Sequence, residues 1–237
     1  QRSIFLFLTL LGIANFAGAK ALGEPASTIA ELSQTAERGD RKAQLILGMR
    51  YRDGNGVKQN HKTALKWYRK CADQGDAEGL DNLGFMYLMG WGVPSNFDVA
   101  AGFFKASASQ NHPQGQFNLG NCYFSGQGVE QSYDLAIAFW QLAAEQGNKD
   151  ATWRLATLHA SGESVVADRQ KAMRLCQEIA QQGHVNGALL LGELLSSQSS
   201  ETDRRKWWEF AAQNGSKQAK VLLELEKWRR QNPDAQG

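Results

Sequence analysis

Written in rows of 36 residues, the chain comes into register with itself. One column reads Leu47, Leu83, Leu119, Leu155 and Leu191, and the next reads Gly48, Gly84, Gly120, Ala156 and Gly192. A third holds Tyr51, Tyr87, Tyr123, His159 and Leu195. A period of this length restricts the fold to stacked copies of one supersecondary unit. A unit so small cannot bury its apolar face alone, and stacking supplies the core.

Each copy carries two apolar-periodic stretches and two stop signals. The hexapeptide RDGNGV (52–57) returns as YLMGWGV (87–93) and YFSGQGV (123–129), and in decayed form as ASGESV (160–165). A single Gly-x-Gly ahead of a helix also suits a phosphate cradle, but a motif that recurs with the repeat is a helix-to-helix turn. The second stretch pairs Ala64-Leu65 with Trp67-Tyr68, Ala100-Ala101 with Phe103-Phe104, Ala136-Ile137 with Phe139-Trp140, and Ala172-Met173 with Leu175-Cys176. Asn60, Asn96, Ser132 and Asp168 stand just before it, and all four are N-cap formers. It closes on Ala72, Ala108, Ala144, Ala180 or Ala212, followed three positions later by Gly75, Asn111, Gly147, Gly183 or Gly215. Glycine, with asparagine as its usual substitute, ends helices in the left-handed conformation. Each repeat therefore reads as helix A (about 42–52 in the first), a turn, helix B (about 61–74) and a left-handed stop.

Four such repeats run from about 40 to 183, and a fifth, ending at Gly215, is four residues shorter because SSQSS (196–200) replaces the glycine turn. Residues 27–39 read as the helix B of an incomplete leading repeat. The stretch SKQAKVLLELEKWRRQ reads as a capping helix within 216–237.

The pattern A-x3-L-G-x2-Y-x2-G-x-G-V, followed by Asp or Asn, then A-x2-W-Y-x2-A-A-x2-G, resembles the Sel1-like repeat, a relative of the tetratricopeptide repeat. The resemblance covers nearly all of residues 27–231. It implies an all-α fold, a right-handed superhelix (solenoid) of antiparallel helix pairs with helices A on the concave side, and a role as adaptor or scaffold. Ala156, His159, Ser164 and Leu195 depart from the pattern, so the C-terminal repeats are expected to stack less regularly.

With Leu47 at the centre of helix A's inward face, a 100° step puts residues 45, 49 and 52 opposite. Facing only water, these positions would be polar. They read Leu45, Met49, Arg52; Asp81, Phe85, Leu88; Phe117, Asn121, Phe124; Trp153, Thr157, Ala160; Leu189, Glu193, Ser196. On the concave side that the resemblance implies, Leu45, Met49, Asp81, Phe85, Leu88, Phe117, Asn121, Phe124 and Trp153, joined by Trp91 at a turn tip, are the candidate partner-binding residues. The same periodicity also fits a face buried against neighbouring helices. Trp91 shares its column with Asn55, Gln127 and Glu163, so packing does not demand an aromatic there.

Residues 1–19 differ from the rest: Arg2, the apolar run Ile4 to Ile13, then Ala17-Gly18-Ala19. The run is too short to span a bilayer, and a small-x-small site follows, so a signal peptide cleaved after Ala19 and a periplasmic or secreted location are expected, with an uncleaved anchor as the alternative. The first residue is read as a second codon. The first cysteine is Cys71, which excludes a lipidated signal. Cys71, Cys122 and Cys176 form an odd, widely spaced set that reads as buried thiols.

Chemistry is not evident. The formal charge is only +2, from 26 basic and 24 acidic residues, and the basic residues are scattered apart from Arg204-Arg205-Lys206 and Arg229-Arg230. That is no nucleic-acid footprint. His61, His112, His159 and His184 show no metal-ligand spacing, and no nucleophile motif occurs, so neither a metal, a cofactor nor a catalytic residue is expected. His112 and His184 share the column of Asp40, Asp76 and Asn148 at helix starts, a capping position. The resemblance points to a non-enzymatic protein–protein interaction protein. Exported members include immunity proteins against secreted antibacterial effectors, such as phospholipases delivered by type VI secretion, as well as envelope and host-interaction adaptors. Cysteine-rich members described as β-lactamases or penicillin-binding carry paired cysteines eight apart, whereas the three cysteines here fall in different columns.

Overall fold

The computed structural model describes residues 28–162, 165–195 and 201–232, and among these all regular structure is helical. The expected signal segment, residues 1–19, lies outside the described residues. Contacts divide the chain into two compact units, 1–148 and 149–237, a division that falls between the third and fourth repeats.

The first unit contains α1 (Ile29–Glu37), α2 (Arg41–Asp53), α3 (His61–Ala72), α4 (Ala77–Met89), α5 (Phe97–Ser109), α6 (Pro113–Ser125) and α7 (Tyr133–Glu145). The second contains α8 (Lys149–Ser161), α9 (Arg169–Gln181), α10 (Val185–Leu194), α11 (Glu201–Gln213) and α12 (Lys217–Gln231). In both, each helix packs on the next, so α2/α3, α4/α5, α6/α7, α8/α9 and α10/α11 are the A/B pairs, α1 is the leading helix B, and α12 is the cap. Short turns between consecutive packed helices make neighbours antiparallel.

The sequence caps act as expected. Asn60, Asn96, Ser132 and Asp168 accept the backbone N–H three residues on, at the starts of α3, α5, α7 and α9. Asp40, Asp76 and the Nδ1 atoms of His112 and His184 do the same for helices A. Each such acceptor satisfies one of the unpaired N–H groups of a helix start and is worth about 1 kcal/mol. Asn111, at φ 60°, takes the left-handed stop that glycine fills in the other repeats.

Helices A and B meet through the Leu-Gly columns. A Cβ built on Gly48 would lie 2.6 Å from the Tyr68 ring, one on Gly84 2.6 Å from Phe104, and one on Gly120 2.6 Å from Trp140. The ring of helix B rests directly on the backbone of helix A, which only glycine permits. Repeat four departs from the column with Ala156, and the residue facing it is Cys176; both are fully buried in one cluster. A methyl group gained on α8 is matched by a ring lost on α9, so this departure is a volume exchange and not decay.

Candidate partner surface

In any curved stack, elements on the inner side approach one another most closely. Helix α4 touches α6, its counterpart one repeat on, and in the second unit α8 touches α10, whereas no two successive helices B pack to a comparable extent. Helices A therefore line the inner side within each unit.

Side-chain placement narrows the expected apolar stripe. Leu45 is buried in a cluster with Cys71, Leu83 and Met86, and Phe117 is 3% exposed. Asp81 and Asn121 are buried too. These four are corrections to the expected partner surface, because they are buried, Leu45 and Asp81 against the following repeat. Arg52 is likewise buried, its guanidinium donating to Asp53 at 2.7 and 2.9 Å and to Asn82 at 3.1 Å. Asp81 accepts from Asn118 Nδ2 on α6 at 2.8 Å, a link between adjacent helices A. Burial raises the Asp81 carboxyl to about 7, with Glu78 adding to the rise and the Asn118 hydrogen bond opposing it.

Met49, Phe85, Leu88, Trp91 and Phe124 remain half-buried on the first unit. Trp91 is not a free turn tip. It stacks on His61 with ring centroids 4.8 Å apart and planes at 17°, and meets Phe85 edge-on at 5.3 Å. Phe124 contacts Tyr133 and Trp140, each at 5.3 Å. Trp153 belongs to the second unit, where it is half-buried beside the Arg154 guanidinium at 5.1 Å.

The turns carry these rings to the edge. Gly54, Gly90 and Gly126 end α2, α4 and α6 in the left-handed conformation. The second glycines of the second and third turns reach back to the preceding helix B: a Cβ on Gly92 would lie 2.8 Å from the carbonyl of His61, and one on Gly128 would strike the Phe97 backbone. The chain then returns, with the N–H groups of Asn60, Asn96 and Ser132 donating to the carbonyls of Tyr51, Tyr87 and Tyr123 at 2.8, 3.0 and 2.9 Å. The second and third turns thus dock against the first residue of the previous helix B, His61 and Phe97, and Tyr133 holds the same position on α7.

This column was missed in the sequence. Phe97 is 43% exposed, Tyr133 38% and Leu135 44%, with Val99 beside them on the first turn of α5. The signal was present as an aromatic directly after the N-cap in successive repeats, where a solvated helix start needs none. Together with Leu88, Trp91 and Phe124 these residues form an apolar belt along the turn edge of the first unit.

The three thiols are buried, on α3, α6 and α9, and burial pushes each up to about 12, with Asp76 adding at Cys71 and Asp81 at Cys122. Such thiols are not nucleophiles at neutral pH.

The Sel1 repeat pattern matches residues 41–76, 77–112, 113–148 and 149–184, more than half of the chain. The chain belongs to the Sel1 repeat family. A Sel1 repeat protein from Oxalobacter formigenes superposes with a TM-score of 0.73 at 26% identity, covering 81% of this chain and 79% of that one. The protective antigen c5321 of uropathogenic Escherichia coli, which displays an SLR fold, superposes at 0.69 and 29% identity over 85% of this chain; the chain spans only 44% of its length. The immunity protein Pa5087 from Pseudomonas aeruginosa superposes at 0.58 and 24% identity, covering 82% of this chain and 78% of that one, a likeness of fold. No curated protein matches the chain. The Sel1 repeat is a protein-interaction fold, and among the described residues no helix is long and apolar enough to cross a membrane.

Proposed function

We propose that this Sel1 repeat protein binds another protein through the apolar belt of its first unit, and that it serves in the periplasm as an immunity protein that neutralises a secreted antibacterial effector. The observation that carries the binding role is the belt itself. Phe97 and Tyr133 expose more than a third of their surface next to half-buried Leu88, Trp91 and Phe124, where the repeat's own packing requires no aromatic. Large rings with a fixed backbone behind them are favoured anchors, because they bury much area at little entropic cost. The immunity role draws on the signal-like residues 1–19 and on the family resemblance.

A challenge experiment tests the immunity role. Cells deleted for this protein are mixed with sister cells carrying a working contact-dependent secretion system, and survival is counted. Loss of survival that is restored by the wild-type chain supports immunity, and equal survival of deleted and complemented cells rejects it.

A further inference from the structure

We infer that the last helix, α12, docks on an anionic lipid surface through the stripe Val221, Leu225 and Trp228. These residues lie four and three apart, on one face of the helix, and they are 61, 39 and 49% exposed. The face is a defined part of the repeat. Ser216 caps α12 as His184 caps α10, so Val221 stands where Leu189 stands one repeat earlier. Leu189 is partly buried against the cluster shared by α8 to α12, and on α12 no further repeat among the described residues covers the equivalent side chain.

Charge selects the occupant. Lys217, Lys220, Lys227 and Arg229 are exposed on α12 and make no ion pair among the described residues. Arg230 is engaged with Glu201 at 2.7 Å, and Glu226 is buried and held by Arg204 at 2.8 Å. Glu224 is the one exposed carboxylate on the helix. An isologous pairing with a second copy would bring the same four cations against their own images. A protein partner needs about 800 Å² per side for a stable interface, and three partly exposed side chains on one convex helix fall far short of that. A membrane surface needs no matching groove. The apolar stripe enters the acyl boundary, the indole sits at the headgroup level, and the flanking lysines reach the phosphates.

The test measures partition of the full chain onto vesicles of neutral phosphatidylcholine, with or without a third of phosphatidylglycerol, at low salt. Any contribution from the apolar run at 4–13 is common to all variants and to both vesicle types. The wild type is expected to bind the anionic vesicles at least about tenfold more tightly than the neutral ones. Lys217→Gln/Lys220→Gln/Lys227→Gln/Arg229→Gln is expected to lose that preference. Val221→Ser/Leu225→Ser/Trp228→Ser is expected to lose most of the binding to anionic vesicles. All seven positions are exposed, and unchanged circular dichroism confirms folding. Equal partition of the wild type onto both vesicle types, or unchanged partition of both variants, overturns the inference. So does a wild type that ignores vesicles but forms a dimer abolished by the serine variant, which assigns the stripe to a second copy.

Discussion

Gly120 on α6 lies against Trp140 on α7 so closely that a methyl group on it would stand 2.6 Å from the indole Cδ1. The same relationship joins Gly48 to Tyr68 and Gly84 to Phe104, while Ala156 faces Cys176. The helix pair is thus held by a small-against-large match that each repeat satisfies in its own way.

Gly120→Ala is therefore expected to destabilise the first unit by about 1–3 kcal/mol, since a packed ring must shift to admit the methyl. In a Trp140→Cys background, which copies the pairing of repeat four, the same substitution is expected to cost much less. Urea denaturation of the four proteins measures this coupling. Equal cost in both backgrounds contradicts the match.

Gly102 provides the opposite case. It is exposed in the middle of α5, and a Cβ there meets nothing within 4 Å. Gly102→Ala is expected to stabilise the protein by about 0.5–1 kcal/mol through helix propensity alone. A lower urea midpoint for this variant contradicts that reading.

The two second glycines of the first two turns separate backbone strain from contact. Gly56 and Gly92 have φ of 75° and 76°, but the atom nearest a Cβ is the flexible Arg50 side chain for Gly56 and the His61 backbone for Gly92. Gly56→Ala is expected to cost only the left-handed penalty of about 1–2 kcal/mol. Gly92→Ala should cost clearly more, because the turn must lift off α3. Matched thermal melts compare them, and equal losses contradict docking of the turn on the preceding helix B.

Asp81 makes a pH prediction with a definite sign. Its folded pKa of about 7 lies above the value of an unfolded aspartate, so the folded state binds more protons over that interval. Its contribution favours folding at low pH and is lost as pH rises from about 4 to 7. Asp81→Asn keeps an oxygen for Asn118 and removes the buried charge. The variant is expected to exceed the wild type in stability above pH 7, by on the order of a few kcal/mol, with the gap shrinking towards pH 4. A gap that does not change with pH contradicts a buried, titrating carboxylate.

Much of the fold was legible because backbone geometry leaves a chemical mark. Asn60 and Asn96 announce helix starts through the N–H groups they accept, Asn111 announces a left-handed stop, and Gly48 announces a ring pressed on a helix. The interaction surface was less legible. Leu45 and Phe117 share the 100° periodicity of an open groove, yet both are buried, Leu45 by the next repeat, and one helix's periodicity does not record how tightly the following helix approaches. Trp91 stands in a variable column, and so does its stacking partner, whose column reads His61, Phe97, Tyr133 and Arg169. Phe97 and Tyr133 escaped notice because attention to the N-cap stops one residue short of them. The division at 148/149 falls on the boundary between the third and fourth repeats, and the columns begin to depart just after it, at Ala156 and His159.

The proposed function rests on the belt as a protein-binding surface. The most direct measurement is recovery of a bound partner, identified by mass spectrometry, from periplasmic extract of the producing cells by the wild-type chain and by Phe97→Asp/Tyr133→Asp. Both positions are exposed, so the variant's melting curve should match the wild type. One partner enriched by the wild type is expected to fall by at least about tenfold with the variant, as loss of two aromatic anchors requires. Equal recovery of that partner by a folded variant would contradict it.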